Sequence, residues 1–410
     1  MSSDKSQIAQ NGNFITYIKN KISELKKVIG VVDEKEPISF KISEFMQEVD
    51  ASLTELPKEY KNLYELKPAE GDFFINREEE VQKLELSYEN WMKDRFVTCA
   101  IIGEKGCGVT STLSAFLKKI PKIETIRAEL SQKIYTDESY FTFFNSLLKT
   151  EGIKSNKGLI DSLNDTQDHK IIIIENLHHM FLKKVGGFES MEMLFELISY
   201  TTKKVLWIGV FTPQTWNYLD KTIAISNYFT SEIVMHQLTY ETIKEIMLKR
   251  IDCELTRVEF IPNEQTIESK TFQNLQESEK QPYLEEKFFK LLSKLSNGNI
   301  SLAQLYWIRA ISTAEDDKKL IVKEIDDFDY SFIKNLSSEA LFTLQALILH
   351  DGLTINDFAV VMHEPLSECR KTLMPMLERG LLIQPNKKYN INPAIYKHVH
   401  DYLSSKNFIH

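Results

Sequence analysis

The chain has 410 residues, of which 42% are hydrophobic, and its formal net charge is -9. That length and composition are typical of a globular protein with two or three domains and well-buried cores. The acidic balance argues against a surface that binds nucleic acid on all sides and leaves room only for a local basic face.

Cysteine usage and hydropathy indicate the cellular compartment of the protein. The four cysteines, Cys99, Cys107, Cys253 and Cys369, are scattered and form no C-x-x-C pair. This spacing argues against a zinc site or a disulfide framework and fits a reducing compartment. No apolar run reaches the ~18 residues of a membrane-spanning helix, and the first residues lack the apolar core of a signal peptide. We therefore expect a cytoplasmic protein with no membrane segment.

Residues 1–59 are predicted to form a helical extension. Apolar residues recur there at alternating spacings of three and four, and they are Ile15, Ile18, Ile22, Leu25 and Ile29. Such a seam is typical of a helix that packs along another helix. The helix either packs on the body of this protein or docks on a partner or a second copy, and both interpretations stay open.

Residues 60–237 alternate apolar runs with helical patterns. The runs that predict strands cover residues 97–102, 123–127, 170–176, 205–211 and 232–235. Alternation of strands and helices builds a parallel sheet covered on both faces, so the predicted class is α/β. Trp207, Trp216 and, further along, Trp307 stand at apolar positions and are predicted to lie in the core.

A glycine-rich segment follows the first predicted strand and opens a helix over residues 112–119. It reads Gly103-Glu104-Lys105-Gly106-Cys107-Gly108-Val109-Thr110-Ser111. Glycines let backbone N–H groups turn toward an anion, and the helix dipole adds to their attraction. The spacing is that of the phosphate-binding motif G-x-x-x-x-G-K-[ST], with Val109 in place of the lysine. Lys105 is an alternative cation within the loop, and a plain glycine turn in an unrelated α/β fold is the other reading.

Residues 238–330 are predicted to form a helical lid followed by a connector. Thr239 has the hydroxyl of an N-cap and opens the first helix. Residues 297–299 interrupt the later helical pattern. The polar segment 257–281 is expected to be a loop, and residues 312–330 are expected to be a charged connector.

Residues 331–410 are predicted to form a winged-helix domain, in which three helices precede a hairpin. Arg370 and Lys371 on the third helix, and Lys387 and Lys388 at the hairpin tip, are the candidate contacts to DNA phosphates. Acidic residues on the same helix offset its charge, so this domain either packs against protein or binds DNA.

In their order and spacing, these motifs resemble those of AAA+ ATPases of the origin-recognition and initiator clade. The chain looks most similar to bacterial AAA-family ATP-binding proteins that end in a winged helix. The matching segments are residues 74–78 for the F-x-G-R-E box with Arg77, residues 103–110 for Walker A, residues 171–176 for Walker B, Thr212 for sensor 1 and residues 297–301 for sensor 2. The resemblance spans Leu63 to the C-terminus. It implies a P-loop NTPase fold that binds ATP or ADP, with Mg²⁺ held by Thr110 and Glu175.

Each of these motifs departs from the family pattern. The substituted positions are Val109 for the P-loop lysine, Glu175 for the metal-holding aspartate, Asn176 for the water-activating glutamate and Ser301 for the sensor-2 arginine. No arginine stands between Lys204 and Lys249, where the family's arginine finger is expected, and Lys221 is the remaining candidate cation.

The departures affect hydrolysis more than binding. A charged hydrogen bond such as lysine to phosphate contributes about 1.5–3 kcal/mol, so its loss weakens nucleotide binding without abolishing it. An arginine finger contributes about 10³–10⁵ in rate, and an amide at position 176 cannot accept a proton from water at neutral pH. We therefore expect weakened binding of ATP or ADP with Mg²⁺, and turnover near background.

Three functions follow from the sequence. The first is a scaffold or regulatory subunit with a degenerate ATPase site, which acts through protein partners or self-assembly. The second is an active but unconventional ATPase in which Lys105, Thr110 and Glu175 hold the metal-bound nucleotide. The third is a DNA-binding protein in which the α/β part only positions the winged helix.

Overall fold

The computed structural model describes residues 74–75, 77–166, 168–251, 257–313, 319–325 and 330–409. The chain divides into two compact units, and the division falls at residue 330. We call the described residues before it the N-terminal unit and residues 330–408 the C-terminal unit. The helical extension expected over residues 1–59 lies outside the described residues.

A five-stranded parallel sheet forms the centre of the N-terminal unit. Its strand order is β2-β3-β4-β1-β5, and every neighbouring pair is parallel. The predicted α/β class is therefore confirmed. The elements, in chain order, are α1 Glu78–Met92, β1 Thr98–Ile102, α2 Val109–Lys119, β2 Glu124–Glu129, α3 Asp137–Leu148, α4 Asn156–Asn164, β3 Lys170–Glu175, α5 Glu189–Thr201, β4 Val205–Phe211, α6 Pro213–Ile223, β5 Ser231–Val234 and α7 Tyr240–Lys249.

The three central strands are mostly apolar because helices cover both faces of the sheet. Every residue of β1 and β4 is buried, and so are the first five residues of β3. The edge strands β2 and β5 are only partly buried. In sheets of this kind ligands bind beyond the carboxyl ends of the strands, and the glycine loop follows β1 at that edge.

The rest of the N-terminal unit contains more strand than the sequence predicted. A three-stranded sheet has the order β6-β8-β7, and β6 pairs in parallel with β8. The predictions of a loop over residues 257–281 and of a connector over residues 312–330 were therefore wrong. The elements are β6 Arg257–Ile261, α8 Glu264–Glu268, α9 Lys270–Gln273, α10 Glu277–Ser296, α11 Ile300–Ala310, β7 Ile311–Thr313 and β8 Lys319–Lys323.

Four helices and a small sheet form the C-terminal unit. The sheet has the order β10-β11-β9, and both of its pairings are antiparallel. Thr354 caps α13 by accepting a hydrogen bond from the Asp357 N–H. The elements are α12 Ser338–His350, β9 Leu353–Thr354, α13 Ile355–Met362, α14 Leu366–Glu378, β10 Leu382–Ile383, β11 Lys388–Ile391 and α15 Pro393–Ser405. None of the helices described in either unit combines the length and apolar composition that a bilayer span requires.

The four tryptophans of the chain all lie in the core of the N-terminal unit. Trp91, Trp207, Trp216 and Trp307 are each no more than 5% exposed. The predicted burial of the last three is confirmed. Because the C-terminal unit has no tryptophan, tryptophan fluorescence reports unfolding of the N-terminal unit alone.

Two leucines on α1 give a matched test of this core. Leu84 is fully buried, whereas Leu86 is 58% exposed. We expect Leu84→Ala to lower the free energy of unfolding by about 2–5 kcal/mol, because it leaves a cavity. Leu86→Ala should change it by no more than about 0.5 kcal/mol. Urea titration followed by tryptophan fluorescence checks both, and equal effects would contradict the placement of α1.

Candidate phosphate-binding site

The glycine loop between β1 and α2 has the backbone of an anion cradle. Gly106 and Gly108 have φ values of 84° and 101°, which only glycine adopts readily. Gly108 is the N-cap of α2, no side chain caps the helix, and a Cβ added at Gly108 would meet no atom of a non-neighbouring residue within 4 Å. The N–H groups of the first turn of α2, where Thr110 and Ser111 lie, therefore face a space suited to an anion. The helix begins at Val109, three residues before the predicted start.

Three successive carbonyl oxygens of this loop accept hydrogen bonds from groups outside it. The bonds run from Asn299 Nδ2 to the Lys105 oxygen (2.8 Å), from the Ser301 N–H to the Gly106 oxygen (3.2 Å) and from Arg77 Nη2 to the Cys107 oxygen (3.0 Å). They fix the orientation of three peptide units. The sensor-2 segment predicted at residues 297–301 thus lies against the loop, and Ser301 contacts it through the backbone.

Arg77 holds three parts of the chain together. The residue is 5% exposed, and its Nη1 atom donates to Glu80 Oε1 at 2.9 Å and to the His236 carbonyl at 2.8 Å. Together with the bond to Cys107, these contacts connect α1, the loop and the segment after β5. Arg77 therefore anchors the loop.

Two loop positions differ in the chemistry that they offer to an anion. Val109, at the position of the family lysine, is partly buried and packs against the hydrophobic core. Lys105 has an exposed side chain.

Burial raises the pKa of the Cys107 thiol to about 11, against the opposing effect of the Arg77 guanidinium. The thiol is therefore neutral at physiological pH and adds no charge to the cradle.

The carboxylate at the end of β3 lies beside the loop and is paired with an arginine. Glu175 Oε2 accepts a hydrogen bond from the Thr110 hydroxyl at 3.4 Å, so the two residues predicted to hold Mg²⁺ are brought together. Glu175 Oε1 accepts from Arg127 Nε at 2.6 Å. The sequence reading missed Arg127. The contact could have been inferred from the parallel register of β2 and β3, because Arg127 lies opposite Ile173, two residues before Glu175.

Asn176, which the resemblance places where the family has its water-activating glutamate, donates a hydrogen bond. Its Nδ2 atom lies 3.0 Å from Glu129 Oε1, and its backbone is left-handed with φ 56°. Thr212, at the predicted sensor-1 position, is buried, and its hydroxyl lies 2.8 Å from the Thr215 hydroxyl. The amide of Asn176 supplies a donor where catalysis would need a proton acceptor.

The donor set fits a phosphate group better than a divalent cation. The uncapped end of α2 and the open face at Gly108 suit an anion. The Glu175 carboxylate already has a guanidinium as its counter-ion, so Mg²⁺ would have to displace Arg127 or lie beside a second positive charge.

The candidate DNA contacts belong to the C-terminal unit. Arg370 and Lys371 are exposed on α14, and Lys371 Nζ lies 2.8 Å from Glu368 Oε1. Lys387 is exposed and Lys388 is partly exposed at the hairpin. Part of the positive charge of α14 is therefore already paired within the helix.

Loss of the Arg77 anchor should destabilise the N-terminal unit. Arg77→Met leaves the carboxylate of Glu80, whose side chain is 6% exposed, without its partner, and we expect a loss of about 3–5 kcal/mol in the free energy of unfolding. The double variant Arg77→Met/Glu80→Gln should recover part of that loss. Arg95→Gln is the matched control, because Arg95 is exposed. Urea titration by tryptophan fluorescence measures all three, and equal values for Arg77→Met and Arg95→Gln would refute the anchor.

Comparison with known proteins finds similarity only among solved structures. No family model and no curated protein matches the sequence. The chain is similar to the Aeropyrum pernix ORC1 protein solved in complex with DNA, at 12% identity and a TM-score of 0.40 over 84% of this chain and 94% of that one. It is similar to Cdc6p of Pyrobaculum aerophilum, at 12% identity and a TM-score of 0.44 over 83% and 97%. It is also similar to a mutant of Thermotoga maritima RuvB, at 14% identity and a TM-score of 0.38 over 82% and 98%.

Proposed function

We propose that this chain is an AAA+ initiator-like P-loop protein that binds nucleotide weakly, does not hydrolyse it, and acts as a scaffold or regulatory subunit of a protein assembly. The observation that carries the proposal is the pair formed by Asn176 and Glu129. A water molecule at this position would meet an amide N–H group in place of a base, and the Oε1 atom of the adjacent Glu129 carboxylate already accepts a hydrogen bond from that amide.

The neighbouring groups support the same conclusion. Glu175 is neutralised by Arg127, and Val109 packs on the core where a lysine would reach a phosphate. The base, the metal ligand and the lysine all act on phosphoryl transfer, so we expect the loss of base and lysine, together with the pairing of Glu175, to reduce turnover to background. The glycine cradle and the end of α2 remain, and they are sufficient for weak binding of an anion.

Protein contact is the better proposal for the exposed face of α14. Leu366 and Met374 are each 41% exposed, and they lie two turns apart with the exposed Arg370 between them. Exposed apolar side chains eight residues apart on a helix are typical of a protein interface, whereas a DNA-reading helix presents polar and basic groups. This favours assembly with a protein partner or a second copy.

A single-turnover assay tests the absence of hydrolysis. With protein in excess over radiolabelled ATP and Mg²⁺, we expect phosphate release equal to that of a protein-free control. Glu175→Ala and Lys105→Ala should leave that background unchanged. Turnover that Glu175→Ala and Lys105→Ala both abolish would instead establish the unconventional ATPase and end the scaffold proposal.

A titration with duplex DNA tests the third function. Basic residues that neutralise phosphates release counter-ions, so their binding weakens steeply as salt rises. We expect no salt-sensitive binding, and we expect Lys387→Ala/Lys388→Ala to match the unmodified chain at 50 and 200 mM salt. Binding that falls with salt and weakens in that variant would support DNA recognition by the C-terminal unit.

A further inference from the structure

We infer that Arg127 takes the place of a divalent metal ion at this loop, so that the site binds the phosphates of a nucleoside diphosphate or triphosphate in metal-free form. This inference rests on the proposed function, in which the loop still binds nucleotide. It adds the form of the ligand and a residue that selects it.

The contacts place the guanidinium on the carboxylate that the sequence predicted to hold a metal ion. The Glu175 carboxylate lies between two partners, the Thr110 hydroxyl at 3.4 Å and Arg127 Nε at 2.6 Å. Thr110 is the second residue of α2. The Glu175 carboxylate therefore connects the positively charged Arg127 to the glycine loop. Apart from the bond through Nε, Arg127 makes no hydrogen bond or ion pair with other residues in the described part of the chain.

The register of the sheet explains why Arg127 can reach this place. Residues two apart on a strand lie on the same face, so Arg127 and Glu129 of β2 share a face. Glu129 lies opposite Glu175 and accepts the amide of Asn176. Arg127 lies two residues further from the carboxyl end of β2, and its long side chain reaches across that distance to Glu175. Its planar guanidinium is also the group best suited to pair with phosphate oxygens.

The charges favour a metal-free anion. Glu175 and Arg127 together are neutral, and the N-terminus of α2 adds about half a positive charge. A phosphate would be attracted to the helix and to the guanidinium, whereas Mg²⁺ would be repelled by Arg127 and would find its carboxylate already paired. The side chains of Arg127 and Glu175 are 29% and 19% exposed, and an ion pair with such access to water contributes little to stability.

Equilibrium titration with a fluorescent ADP analogue, in EDTA and in Mg²⁺, tests the inference. We expect the unmodified chain to bind at least as tightly in EDTA as in Mg²⁺, with inorganic pyrophosphate as a competitor. Arg127→Gln should weaken binding in EDTA by about tenfold or more, the loss expected for one charged hydrogen bond. It should also make binding stronger in Mg²⁺ than in EDTA, because Glu175 is then available to a cation.

A second variant should change the affinity for the ADP analogue in EDTA in the opposite direction. Glu175→Gln removes the negative charge next to Arg127, so binding in EDTA should tighten, whereas loss of a metal ligand would weaken binding in Mg²⁺. Arg95→Gln, at an exposed arginine before β1, should behave as the unmodified chain. Tryptophan fluorescence in a urea titration confirms that each variant is folded.

Three results would overturn the inference. They are a requirement for Mg²⁺ in the unmodified chain, equal binding by Arg127→Gln in EDTA, and the absence of ADP binding in both buffers. The first two leave the proposed lack of hydrolysis untouched. The third would also remove the weak nucleotide binding that the proposed function assumes, whereas the lack of hydrolysis is tested separately by the release of phosphate in the single-turnover assay.

Discussion

The shape of the glycine loop depends on the three hydrogen bonds that hold its carbonyl oxygens from outside. The donors are a guanidinium, a side-chain amide and a backbone N–H group, from Arg77, Asn299 and Ser301. Asn299 also accepts a bond from the N–H of Leu302, so one side chain caps α11 and fixes the loop. The loop therefore keeps its conformation through contacts of the protein itself. This explains how the fold tolerates Val109, because a lysine there would bind the ligand and not the loop.

On the carboxylate side, the two carboxylates that a metal-bound ligand would need are already paired within the protein. Glu175 is satisfied by Arg127 and Thr110, and Glu129 is satisfied by Asn176. A buried or half-buried polar group without a partner is costly, and these pairs remove that cost without any ligand. A nucleotide therefore gains only the difference between its own contacts and those it replaces. The pairing accounts for weak binding and for lost turnover by one mechanism.

The sequence predicted what depends on long apolar runs and on motif order. Strand β4 was predicted with its observed bounds, because burial on both faces makes its whole length apolar. Strands β6 and β8 were missed, because charged residues such as Lys319 and Glu259 alternate with their apolar ones and the two strands pair across about sixty residues of chain. Arg127 was missed for a related reason. Motifs are read along the chain, whereas this contact is set by the register between neighbouring strands.

The geometry of the peptide unit connects the cradle to the groups that hold it. Each carbonyl shares a rigid plane with the N–H of the next residue, so the Cys107 oxygen that Arg77 holds belongs to the same unit as the Gly108 N–H at the start of α2. An anion that accepts from this N–H group polarises the carbonyl and strengthens its bond to Arg77. The same relation joins the Lys105 oxygen, held by Asn299, to the N–H of Gly106. We therefore expect an anion in the loop to strengthen the contact between the loop and α11 through the backbone, without hydrolysis.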